Sequence, residues 1–516
     1  MACGRAFGYQ NELGTGRHWL EKGVGLVWAK IAGVTTAPDP SAIRLYDTRR
    51  RAVVPFEPIE AGKVGIYTCG PTVYGPQHLG NMRSQLLPDL LRRVLTAAGY
   101  EVRFVTNITD VGHLVSDADE GEDKVEAAAA REGSSVDEII ARWTDQWATD
   151  RRRLGCLEPD SIPRATDHIS EQIAMIQTLE VKGHTYVIDD GVYFDTSTFP
   201  RYAEFAHLVL DDLEATGRVE NVANKRQPAD FALWKFSPAD AQRLQEWESP
   251  WGVGFPGWHI ECSAMSVKEL GECFDIHTGG VDHIRVHHTN EVAQSECALD
   301  VHPWVSIWMH NEFLDVGGEK VSKSKGHVLL VDTLVEEGIS PLAFRYFFLQ
   351  AHYRQQQHFT LDHVRAADTA LRRLTHHAVA ARDEVDGDAS AAAEARTSPL
   401  REAFWGALAD DLNAPKALAV VSNVVRDGSL TAADRWSLLA DFDRALGFGL
   451  AEAVDPDRAA VVDAGDVEAE MADLLERREA ARAAKDYAAA DAIRDEITGR
   501  GFDIVDTPEG PTVRRR

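Results

Sequence analysis

At 516 residues the chain is too long for one hydrophobic core, so several domains are expected. Its 44% hydrophobic and 26% charged composition is that of an ordinary globular protein, and no apolar run is long enough to be a membrane-spanning helix. A formal net charge of -28 gives no global attraction for nucleic acid. An RNA partner would need a local basic track, for which Arg49 to Arg51, Arg151 to Arg153 and Arg514 to Arg516 are candidates.

Residues 1–42 are glycine-rich, weakly patterned and closed by the breaker stretch 35–41, which reads as a loosely ordered extension. Arg5, Arg17, His18 and Glu21 interrupt any candidate secretory region, so a cytoplasmic location is expected. In that setting Cys3, Cys69, Cys156, Cys262, Cys273 and Cys297 are expected to be free thiols or metal ligands rather than disulfides.

An α/β pattern opens in 43–110. Residues 64–68 read as a short buried strand, and Leu86, Leu87, Leu90, Leu91, Val94 and Leu95 recur at helical spacing over 81–98. Residues 101–105 alternate like a second strand. Strand, helix, strand with a glycine-bearing turn predicts the nucleotide-binding half of a doubly wound, Rossmann-type sheet. The more polar stretch 111–247, with an acidic run from Asp117 to Glu126, reads as an insertion between the two halves of that sheet, and 248–310 as the second half. Residues 311–361 carry a lysine-rich loop, and 362–455 read as a helical bundle with a loop over 383–397. The C-terminal region 456–516 reads as helix over 466–499, then a small strand-and-turn tail.

Three groups of residues carry chemistry. His78-Leu79-Gly80-Asn81 opens the first helix, where free N–H groups bind phosphate and Gly80 lets a nucleotide approach. Alone it is weak evidence and reads first as a helix cap. Lys320-Val321-Ser322-Lys323-Ser324 interleaves two lysines with small hydroxyl residues, which suits a transferring phosphate, although alone it reads as a solvated loop. Cys69, Cys262, His287 and Glu291 supply two thiols, an imidazole and a carboxylate, a donor set suited to zinc, with His287 and Glu291 on one helical face.

In this order the first two motifs resemble the HIGH and KMSKS signatures of class I aminoacyl-tRNA synthetases, with Asn81 in place of the second histidine and Val321 in place of methionine. Residues 68–74 (TCGPTVY), 107–110 (NITD), 228–235 (PADFALWK), 258–265 (WHIECSAM) and 287–291 (HHTNE) narrow the resemblance to cysteinyl-tRNA synthetases, from about Ile43 onward. It implies a Rossmann-type catalytic domain with an insertion, a helical bundle and a small α+β anticodon-binding region. The implied reaction activates L-cysteine with Mg-ATP and loads it onto tRNA(Cys), in a monomer without membrane association.

The resemblance also implies one Zn2+ on Cys69, Cys262, His287 and Glu291, which would select the substrate thiol. Catalysis would rest on His78, Asn81, Lys320 and Lys323. ATP would be held by these and by Gly80, Asp282, Ser322 and Ser324, and cysteine by Cys69, Gly70, Thr109 and Trp258. His288 is read as supporting a ligand. The C-terminal stretches 476–487, 492–496 and 506–510 resemble the family's anticodon-binding end, whereas Val513 stands where an aromatic suited to base stacking is expected. Two other readings stay open: a ligase of the same ancestry joining cysteine to a small amine, and a zinc-dependent hydrolase. A non-enzymatic RNA-binding protein has no support from the charge.

Overall fold

The computed structural model describes residues 38–112, 124–207, 224–238, 243–316, 319–320, 329–385, 391–455, 469–483, 486–499, 502–507 and 510–515. The extension 1–37, most of the acidic run after Val111, and Val321 to Ser324 lie outside them. After a hairpin of β1 (Arg44–Asp47) and β2 (Ala52–Pro55), the chain builds β3 (Lys63–Thr68), α1 (Leu79–Ala97) and β4 (Glu101–Thr106). The second half adds α5 (Trp258–Leu270), β9 (Phe274–Gly280), α6 (Thr289–Leu299) and β10 (Val305–Asn311). The four strands form one parallel sheet in the order β10-β9-β3-β4. Strand β9 is buried at every position, as a strand covered on both faces must be. Leu87, Leu91, Val94 and Leu95 of α1 are 0% exposed, so the helical stripe read in the sequence is the face that packs on the sheet.

Between the halves lie α2 (Lys124–Glu132), α3 (Val136–Arg153), α4 (Ile169–Val181) and an antiparallel sheet. Its strands are β5 (Thr185–Ile188), β6 (Gly191–Phe194), β7 (Phe231–Phe236) and β8 (Gly254–Pro256), paired in that order. This segment is not a detached appendage: Phe194, Phe231 and Trp234 share one apolar core with Tyr67, Phe274 and Trp308 of the parallel sheet.

Past β10, β11 (Leu314–Val316) pairs with β12 (Glu319–Lys320) and β13 (Gln357–Phe359), around α7 (Val331–Glu336) and α8 (Pro341–Leu349). Helices α9 (Leu361–Asp383), α10 (Ala391–Ala409), α11 (Ala414–Arg426) and α12 (Ala432–Leu446) follow. The loop expected over 383–397 is shorter, because Ala391, Ala392, Ala393 and Ala395 are strong helix formers and α10 starts with them. The single helix expected over 466–499 is two, α13 (Ala469–Ala483) and α14 (Tyr487–Gly499), with Asp486 accepting from the Ala489 N–H at 3.1 Å at the start of the second. A hairpin of β14 (Phe502–Thr507) and β15 (Gly510–Arg515) ends the chain.

One buried arginine ties four of these segments together. Arg345 of α8, 1% exposed, binds Asp89 of α1 at 2.6 Å, the Leu446 carbonyl at the end of α12 at 2.5 Å and the Leu154 carbonyl after α3 at 3.4 Å. Cys69, Cys156, Cys262 and Cys297 are free thiols, as expected. Cys273, half-buried in the turn before β9, departs from that expectation and is disulfide-bonded. Among the described residues no helix is long and apolar enough to cross a membrane.

Candidate active site and metal centre

The sheet order reverses between β3 and β9, and in an open α/β sheet the crevice beyond the carboxyl ends at such a point binds ligand. A cavity of about 480 Å³ lies there. After β3 the chain turns through Cys69 and Gly70. A Cβ on Gly70 would stand 1.6 Å from the Asn107 carbonyl oxygen, so only glycine fits, and its N–H donates to Asn107 Oδ1 at 2.8 Å. Helix α1 then opens with a reciprocal cap: Asn81 N–H donates to His78 Nδ1 at 3.1 Å, and His78 N–H to Asn81 Oδ1 at 3.3 Å. The cap leaves room for the phosphate reading, since Gly80 at this end of α1 still lines the cavity.

Most of the expected site residues converge on this cavity. His78, Gly80 and Asn81 line it from α1, Cys69 and Gly70 from the turn after β3, and Thr109 from the segment after β4. Trp258 and Cys262 reach it from α5, and Asp282 and His287 from the segment after β9. Thr109 Oγ1 donates to Glu261 Oε2 at 3.1 Å, and the Trp258 ring lies 4.5 Å from that of His287. Lys320 sits on β12, paired with Asp315 of β11. Ser322, Lys323 and Ser324 lie outside the described residues.

Four donors gather beside the cavity although they come from three places in the chain. The ligand atoms of Cys69, Cys262, His287 and Glu291 all lie within 4.8 Å of one another. The two sulfurs are 3.8 Å apart. That is the separation of two thiolates bound at about 2.3 Å to one tetrahedral ion. His287 Nε2 is 2.9 Å from Glu291 Oε1 across one turn, at the junction of a π-helical stretch (Ile284–His288) and α6. Burial opposes ionisation of Glu291, but His277 and His287 outweigh it and hold the carboxyl well below its usual range. Burial opposes the charged form of His287 in turn, and Glu291 pushes its pKa up to about 10. Burial raises the Cys69 thiol, whereas a hydrogen bond from Cys69 lowers that of Cys262.

A second layer of histidines surrounds this cluster, and sequence reasoning saw only His288 of it. His277 Nε2 lies 3.0 Å from Glu291 Oε2, fixing the carboxylate from its far side. His288 Nε2 is 3.4 Å from Cys69 Sγ, and its Nδ1 is 2.7 Å from His310 Nε2, whose other nitrogen is 2.7 Å from Thr48 Oγ1. Cys69, His277, His288 and Glu291 thus form an overlapping donor set. Gln85 and Trp147 also line the cavity. The first could have been read from its place one turn after Asn81; the second, brought in by the insertion, had no signal.

Comparisons with known proteins agree with this geometry. Residues 55–369 match the family model for the class I (C) tRNA synthetase catalytic domain, and residues 464–514 that for the cysteinyl-tRNA ligase anticodon binding domain. The chain is 49% identical over 471 residues to cysteine–tRNA ligase 1 of Burkholderia lata, covering 91% of this chain and 96% of that one. It is 39% identical to the cysteine–tRNA ligase of Treponema denticola, covering 92% and 100%. The fold is shared with a Mycobacterium tuberculosis methionyl-tRNA synthetase bound by methionyl-adenylate (TM-score 0.50, 16% identity, 77% of this chain and 92% of that). It is shared too with an Agrobacterium radiobacter leucyl-tRNA synthetase (TM-score 0.54, 12% identity, 76% and 85%). The chain belongs to the cysteine–tRNA ligase family of class I aminoacyl-tRNA synthetases.

Proposed function

We propose that the protein activates L-cysteine with ATP to cysteinyl-adenylate and transfers the cysteinyl group to tRNA(Cys), releasing pyrophosphate and AMP. The observation that carries this is one cavity with a glycine-bearing helix start at its wall and a two-thiol donor cluster beside it. The first suits the phosphates of Mg-ATP, the second a soft ion for a substrate thiol.

The donor set fits zinc: two thiols, an imidazole and a carboxylate, almost wholly buried, with a sulfur separation matching a tetrahedral ion. Cys69, Cys262, His287 and Glu291 would hold it. When bound, zinc supplies a preference for a thiolate over a hydroxyl, the distinction between cysteine and serine that a pocket shaped for size alone makes only about 10²-fold. Thr109 and Trp258 would bound the small side-chain pocket, with Cys69 and Gly70 beside them. Asp282 would hold the amino group or the ribose.

In the first step the cysteine carboxylate attacks the α-phosphorus and pyrophosphate departs; in the second a terminal ribose hydroxyl of tRNA attacks the adenylate and AMP departs. His78 and Lys323 would stabilise charge on the phosphates, with Asn81, Lys320, Ser322 and Ser324 assisting. Positioning and electrostatics suffice, so no side-chain nucleophile is invoked. We place the protein in the cytoplasm as a monomer.

The test is cysteine-dependent ATP–pyrophosphate exchange with serine as competitor, followed by charging of total tRNA. Exchange with charging is the expected result. Exchange without charging would transfer the reading to a cysteine ligase acting on a small amine. Turnover without ATP would mark a hydrolase, and no exchange from zinc-replete protein would overturn the proposal.

A further inference from the structure

Tyr67 is a buried polar side chain that the mechanism does not use. It is 0% exposed, and its hydroxyl completes no hydrogen bond in the folded chain. A buried O–H without an acceptor works against the fold unless some state of the protein supplies one. Tyr67 stands on β3 two residues before Cys69, the spacing that sends both side chains to one face of the sheet. On the neighbouring strand its partner is His277, with the two rings 5.2 Å apart, and His277 in turn holds Glu291. Helix α5, which carries Cys262, packs against β3, and Tyr67, Cys69 and Cys262 share one core. Burial first, then Cys262, Cys69 and Glu291, keep the proton on the hydroxyl. The group is therefore a donor, and Cys262 is the ionisable neighbour that acts on it most.

Cys262 changes its needs when it ionises. As a thiol it points its S–H at Asn107 Oδ1, 3.9 Å away. As a thiolate ligand it has no proton to give and only accepts. The other sulfur, Cys69 Sγ, has His288 Nε2 at 3.4 Å to donate to it. Glu291 has His287 and His277 on its two oxygens. His287 also reaches Cys262, but with Nδ1 turned to His259 it meets the cluster through Nε2. That nitrogen cannot both bind an ion and donate to sulfur. Cys262 is thus the anionic ligand still lacking a donor, and Tyr67 is the donor still lacking an acceptor.

We propose that Tyr67 is a positioning residue of the metal centre, its O–H donating to the Cys262 thiolate and drawing off part of that sulfur's charge. Two thiolates and one carboxylate against a dication leave one net negative charge in a buried site, and a substrate thiolate adds another. A donor on Cys262 makes its sulfur give less charge to the ion, which leaves the ion better able to take the thiolate of cysteine. The inference rests on the zinc-centred synthetase reading of the site.

The test is Tyr67→Phe in the full-length protein, which removes one oxygen and keeps the ring. With Co2+ in place of Zn2+, the sulfur-to-cobalt charge-transfer band of the variant should lie at longer wavelength, because a thiolate without a donor gives up an electron more easily. In chelator competition the variant should hold Zn2+ about tenfold more weakly. In exchange its KM for cysteine should rise while that for ATP stays the same. Urea unfolding separates this role from packing. Stripped of metal, the variant should be no less stable than wild type, since it loses only an unpaired hydroxyl; loaded with Zn2+, it should be the less stable of the two. An unmoved cobalt band with unchanged zinc affinity would overturn the role of Tyr67. So would an equal loss of stability with and without metal, a variant that fails to fold included. A wild type that loads neither ion would instead overturn the zinc reading, and this inference with it.

Discussion

Glu291 is the residue on which the donor cluster turns, since one oxygen faces His287 and the other His277. Replacing it by glutamine removes the charge and leaves the shape. We expect Glu291→Gln to bind zinc at least tenfold more weakly, read by metal content after dialysis, and to narrow the cysteine-over-serine ratio in exchange. Full zinc occupancy in this variant would remove the carboxylate from the set. Asp150, near the end of α3, offers a cleaner pH effect. Burial pushes its carboxyl up to about 6, against the opposing hydrogen bond from Gln146. The folded pKa stands above the unfolded value of about 3.9, so the associated stability is present below about pH 4 and lost as pH rises through about 6. Asp150→Asn should therefore raise the urea midpoint at pH 7 and leave it unchanged at pH 4; an equal shift at both would refute the assignment. At this scale the four donors that cluster were legible only through the resemblance of the motifs that carry them, because they are dispersed along the chain and their spacing alone signals no metal. His277 and Trp147 were not, because periodicity reports which face of an element is buried and says nothing of what it meets across the core.

Among the elements, α1 does two jobs, one at its start and one in its middle. Its first turn faces the cavity, and Asp89, three turns on, pairs with Arg345 and with Arg93 at 2.8 Å. Removing one partner of a buried pair leaves the other charge uncompensated, so Arg345→Met should cost about 3–5 kcal/mol in urea unfolding. The double variant with Asp89→Leu should recover part of that loss; purely additive losses would show that the pair does not act as a unit. The strand, helix and strand of the first half were plain in the sequence because their patterns are long and uninterrupted. The start of α10 was hidden by Asp and Glu residues scattered among alanines, and the break between α13 and α14 by helix formers on either side of Asp486. The insertion's sharing of a core with the sheet could not be read at all, since it depends on pairings across more than a hundred residues of chain.

For the whole molecule, the important division is near the C-terminus. Leu474, Leu475, Ile493 and Ile497, with Ile504 against them, form a small apolar core separate from the large ones. Deleting residues 464–516 should leave cysteine-dependent exchange within about twofold while charging falls at least tenfold, the latter because the segment that matches the anticodon binding domain would be gone. Loss of exchange as well would show that the last segment supports the catalytic fold. The same separateness has an evolutionary reading. A unit that contributes nothing to its neighbour's core can be shed or exchanged in a single genetic event without unfolding what remains. Lineages could then keep the cysteine-activating chemistry and change its acceptor by editing only the stretch that encodes residues 464–514.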